Sequence, residues 1–169
     1  MKILLMLISI TIALFVFADD SVYGNSDSVS KFVLPSGIEV RIVEASCKGA
    51  GTACQTKGIV AEGVFVGEIP LTYLKEIAIT HKGRIYQLDT SGMFNAWGNR
   101  PLEYPGVVRY FGGHCDEKTC VIRGLFADAA LTYVAEWVVV DGVPARTVLT
   151  GSQDVVDVFM KNIDGVEFD

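Results

Sequence analysis

From Phe32 onward the chain is built of short apolar runs broken by Gly, Pro, Asn and Asp, with apolar and polar residues alternating inside several of them. Alternation with a period of two marks half-buried β-strands. Ile38–Glu44 alternates apolar with charged residues after the Pro35-Ser36-Gly37 break, and Ile59–Val66 (IVAEGVFV) is a run rich in β-branched residues. Leu74–Thr80 and Arg84–Leu88 flank His81-Lys82-Gly83, where glycine supplies the left-handed φ of a tight hairpin turn. Val107–Phe111 and Val121–Phe126 flank a second turn region. Tyr133–Val140 and Ala145–Thr150 flank Asp141-Gly142, a dipeptide strongly preferred in two-residue hairpins. Asp128–Leu131 could open a helix, but Trp137 and the three valines after it favour a strand.

The period changes near the C-terminus. Ser152 is placed as an N-cap, Asp154 sits where the helix dipole favours an acid, and Val155, Val156, Phe159, Met160 and Ile163 share one helical face. Asp164-Gly165 provides the stop. The pattern predicts an α+β domain over residues 32–169, mostly antiparallel β-sheet with three hairpins and a C-terminal amphipathic helix. Neither an internal repeat nor a domain boundary interrupts it.

Two N-terminal segments fall outside this pattern. Met1-Lys2 precedes an apolar run, Ile3–Phe17, then Ala18 and Asp19-Asp20, with Val16 and Ala18 as the small residues before a cut. This predicts a secretory signal peptide over residues 1–18. The apolar run is shorter than the roughly 20 residues of a membrane span, and no cysteine follows the cut to carry a lipid. Residues 19–31, rich in Ser and Asp, read as a flexible polar leader. Part of the mean hydropathy of +0.38 therefore belongs to a removable segment. Cleavage leaves 151 residues with 13 basic and 20 acidic side chains, a formal charge of −7 in place of −6. No later segment is apolar enough to cross a membrane, which predicts a periplasmic or secreted protein. The lack of an N-x-S/T sequon is consistent with a bacterial source.

Composition excludes several classes. With 50% hydrophobic and 20% charged residues, the chain is unlike disordered, collagen-like or coiled-coil sequences. Its acidic balance argues against nucleic-acid binding, which needs a basic footprint. Four cysteines in an exported chain predict two disulfides. Cys47 with Cys54 and Cys115 with Cys120 are the expected pairs, because each pair brackets a short loop, KGAGTA or DEKT. A zinc site on the four thiolates fits poorly, since structural zinc pairs stand closer together. No cofactor and no metal is expected.

The catalytic inventory is thin. His81 lies in a predicted turn and His114 beside a cysteine, and no serine-nucleophile, zinc-protease or phosphate-loop motif occurs. Glu62, Glu68, Asp89, Glu103 and Asp128 are carboxylates that glycoside hydrolysis could use, but their spacing selects no pair. The segment that stands out is Asp89–Gly106 (DTSGMFNAWGNRPLEYPG), longer than the roughly 12–15 residues usual for structureless loops. Ser91, Met93, Phe94, Asn95, Trp97, Arg100 and Tyr104 within it are the candidate binding residues, since aromatics and arginine are enriched at binding hot spots. The competing reading is that Phe94 and Trp97 tuck inward and pin the loop to the core. Ser91-Gly92 followed by Phe94 resembles the Ser-Gly loop with which some periplasmic lysozyme inhibitors enter their enzyme, a likeness of three residues that carries no family assignment.

These readings converge on an exported, non-enzymatic binding protein, in its sharpest form a periplasmic inhibitor or immunity protein that caps an exported toxin or cell-wall hydrolase. The alternatives are an envelope scaffold or small-ligand carrier, and a small exported hydrolase with a carboxylate site.

Overall fold

The computed structural model describes residues 27–48, 50, 54, 70–99, 107–127 and 132–164. Two antiparallel four-stranded sheets form, each a meander in chain order. The first holds β1 (Ser28–Val33), β2 (Glu39–Ser46), β3 (Thr72–His81) and β4 (Arg84–Leu88). A short strand, β5 (Ala96–Asn99), and a 3-10 turn over Val107–Tyr110 lead to the second sheet. That sheet holds β6 (Phe111–Cys115), β7 (Thr119–Ala127), β8 (Thr132–Val140) and β9 (Val143–Thr150), and the helix α1 (Gln153–Lys161) follows it.

All three predicted hairpins form: β3–β4, β6–β7 and β8–β9. Lys82-Gly83 and Asp141-Gly142 take positive φ at both turn positions, the two-residue turn whose twist matches that of its strands. Two register shifts keep the apolar faces aligned. Opposite Val43 and Glu44 the register passes from Glu76 to Leu74, so Lys75 is the extra residue and points to solvent while Leu74 and Ile77 both turn inward. At Glu136/Trp137 the register likewise skips Thr147 of β9.

The main core lies between the sheets. Val40, Ile42, Leu74, Ile77 and Ile79 of the first meet Ile122, Phe126, Tyr133, Trp137 and Val139 of the second, all essentially inaccessible to water. Ring contacts at 5.0–6.5 Å join Phe126 to Trp97, Phe111, Tyr133 and Trp137. The outer face of the second sheet carries a smaller core, where Leu125 and Val134 receive Val156 and Phe159 of the helix. Gly112 makes room beyond it: a Cβ there would stand 2.4 Å from the carbonyl oxygen of Ile163, so the chain after the helix lies directly on β6. Arg123 holds that segment with a hydrogen bond to the Asn162 carbonyl.

The cysteines pair as the loops suggest, Cys47–Cys54 and Cys115–Cys120. Four readings are corrected. The first sheet begins at Ser28, so residues 28–31 of the expected leader form an edge strand; β1 is held by its antiparallel ladder to β2 and by Phe32, whose ring packs on Phe111 at 5.4 Å, while Val29 and Val33 stay exposed. Val107–Tyr110 is a 3-10 turn and the strand starts at Phe111. Met160 is exposed: the sheet takes up Val156 and Phe159 fully and Val155 and Ile163 in part, and Met160 lies outside that stripe. The helix also ends earlier, with Asn162 as C-cap. The signal peptide and the Ile59–Val66 strand lie outside the described residues.

Candidate functional site

The segment after β4 is organised by one acid. Asp89 Oδ1 accepts hydrogen bonds from the Ser91 N–H (2.9 Å) and the Ser91 hydroxyl (2.6 Å), the local bonding that favours Asp at the start of a turn. The Met93 N–H donates to the Thr90 carbonyl across Ser91-Gly92, and Gly92 has φ +74°, where a side chain would be strained. From β9, Arg146 donates to the Ser91 carbonyl and hydroxyl and pairs with Asp89 at 3.2 Å. From β8, the Trp137 indole N–H donates to the Asp89 carbonyl at 2.8 Å. Partial burial works to raise the Asp89 carboxyl, but the Ser91 bonds and the Arg146 charge together hold it below its usual value. The result is an exposed turn, Ser91-Gly92, locked from three sides.

The next residues turn inward. The Met93 carbonyl accepts from the Leu74 N–H, and the Asn95 N–H donates to the Thr72 carbonyl. The Asn95 side-chain oxygen accepts from the N–H groups of Leu71 (2.9 Å) and Thr72 (3.1 Å), standing in for a strand carbonyl at the start of β3. The Tyr133 hydroxyl donates to the Phe94 carbonyl at 3.0 Å. Met93 and Asn95 are accordingly buried, which removes them from the candidate binding surface. Trp97 is half-buried against Phe111 and Phe126, and its indole nitrogen is shielded without a hydrogen-bond partner. Phe94 is half-buried, Ser91 is exposed, and Arg100 and Tyr104 lie outside the described residues. For Met93, Asn95 and Trp97 the pinning role outweighs the binding role.

Beneath this segment lies a group that spacing alone does not reveal. Glu44, at the register shift of β2, is almost wholly buried; its Oε1 accepts from the Thr72 hydroxyl at 2.6 Å and its Oε2 has no partner. Burial pushes its carboxyl up to about 7, against the Thr72 hydrogen bond. Burial and the nearby Glu44 charge also raise the Tyr133 hydroxyl. Arg146 was equally hidden in the sequence, since only the fold brings β9 beside the residues that follow β4. The one visible signal for the turn was Asp89 two residues before Ser91.

Among the other candidates, Asp89 is committed to the turn, while Glu62, Glu68, Glu103 and Asp128 lie outside the described residues. His81 closes β3 opposite Arg84, and His114 stands 3.2 Å from the Asp164 carbonyl oxygen. No three metal-ligating side chains come together among the described residues, and no described helix is long and apolar enough to cross a membrane. Compared with known protein families, curated proteins and solved structures, the chain matches none.

Proposed function

We propose that the protein is an exported, non-enzymatic binding protein that presents the Ser91-Gly92 turn to a protein partner, in the form of an inhibitor or immunity protein for an exported toxin or cell-wall hydrolase. The observation that carries this reading is the rigidity of an exposed turn. Asp89, Arg146 and Trp137 fix Ser91-Gly92 before any partner arrives, and a loop ordered in advance avoids part of the entropy cost of association. Two disulfides fit an oxidising compartment. The acidic charge suits a basic partner, for which opposite charge speeds encounter.

The inter-sheet space is filled by packed rings, which favours surface recognition over carriage of a ligand inside the sandwich. Glu44 is buried in the packed interior with the Thr72 hydroxyl as its one hydrogen-bond partner, so it lends little to a hydrolase reading. Purified protein expressed from the full-length sequence, used as bait for exported proteins of its own source and of competitors, is expected to retain a toxin or hydrolase. Ser91→Trp, which places bulk on the exposed turn and gives up the hydroxyl bonds to Asp89 and Arg146, should abolish retention while the protein still unfolds cooperatively, with only a modest drop in melting temperature. Failure to retain any such protein, or equal retention by Ser91→Trp, contradicts the proposal.

A further inference from the structure

At the opposite end of β4 from the Ser91 turn, three hairpin tips converge on a cleft of about 360 Å³. Its rim is fixed. Asp116 Oδ1 accepts from the N–H groups of Lys118 (2.7 Å) and Thr119 (2.6 Å), and the Asp141 N–H donates to the Lys118 carbonyl at 3.0 Å, tying two tips together. The Cys115–Cys120 disulfide closes the base of one of them.

The charges sort by wall. The β3–β4 hairpin of the first sheet contributes His81, Lys82 and Arg84. The two tips of the second sheet contribute Asp116, Glu117 and Asp141, with Lys118 as their one cation. None of the four ion pairs found among the described residues joins these walls. The Asp116 carboxyl is held below its usual value, chiefly by the two turn N–H groups, with smaller contributions from His114 and Lys82, so it remains an anion facing the basic wall. On the basic wall, the His81 Nε2 is shielded from water and has no hydrogen-bond partner. A buried nitrogen left without a partner carries a desolvation cost.

We propose that this cleft binds a small zwitterion of the amino-acid type, its carboxylate toward Arg84 and His81 and its ammonium toward Glu117 and Asp141. A simple anion would meet the acidic wall unpaired, and a simple cation the basic wall. A ligand bearing both charges satisfies both. The volume lies at the lower end of the range of small-molecule sites, and the site is independent of the Ser91 turn.

The test is a titration of the purified protein with each proteinogenic amino acid, followed through the imidazole resonances of His81. At least one is expected to give a saturable shift with Kd on the order of 1 mM or tighter, equivalent to about −4 kcal/mol. Its carboxyl-amidated and N-acetylated derivatives should each bind at least about tenfold more weakly. Arg84→Gln should weaken the free amino acid and leave the amidated form unchanged, with the melting temperature confirming the fold. Absence of saturation by every amino acid overturns the proposal. So does equal binding of either capped derivative, or loss of both forms in Arg84→Gln.

Discussion

Glu44 is a carboxyl that folding moves from water into a nearly closed site with one hydrogen-bond donor, Thr72. An ionised group there is disfavoured by desolvation, so its pKa rises from 4.5 to about 7. The folded state therefore holds this proton more tightly than the unfolded state. Its contribution is fully present below about pH 4.5 and is lost as the pH rises to about 7. The loss amounts to about 3 kcal/mol. Denaturant unfolding between pH 4.5 and 7.5 should show this decline, and Glu44→Gln should flatten it; an unchanged slope in the variant would refute the assignment. The carboxyls of Asp89 and Asp116 are shifted downward, so their contributions are lost only at lower pH and do not overlap this window.

At the scale of elements, what the sequence made legible follows from local rules. Lys82-Gly83 and Asp141-Gly142 carry residues suited to left-handed turn geometry, and the flanking runs alternate as paired strands do. The cysteine spacings leave three pairings open, and the local one, favoured because each pair brackets a short loop, is the one that forms. What escaped depends on distant contacts. Ser28–Lys31 looks like a polar tail because its strand is stabilised by backbone pairing with β2, which composition does not record. Met93, Asn95 and Trp97 look like a recognition loop, yet the start of β3 and the ring cluster draw them inward. Arg146 becomes a clamp only when β9 lies beside the turn. If that clamp orders the turn, Arg146→Ala should speed amide exchange at Met93, whose N–H closes the turn, by roughly fivefold, equivalent to about 1 kcal/mol of local stability. Global stability should change by about 1 kcal/mol or less, since the Asp89–Arg146 pair is partly exposed. Exchange at the wild-type rate would show that the turn is ordered without Arg146.

At the scale of the molecule, two meanders enclose an aromatic core and leave one outer face to the helix. The arrangement presents two separate features at the two ends of β4: a rigid exposed turn and a cleft with walls of opposite charge. The turn is the proposed recognition element. Its role is tested most directly by titrating the purified protein into a preparation of exported cell-wall hydrolases or toxins, in low and high salt, and measuring residual activity. Saturable inhibition is expected, slowing in onset as salt screens the acidic surface and lost in Ser91→Trp. Undiminished activity at saturating protein, or equal inhibition by wild type and Ser91→Trp, would contradict it.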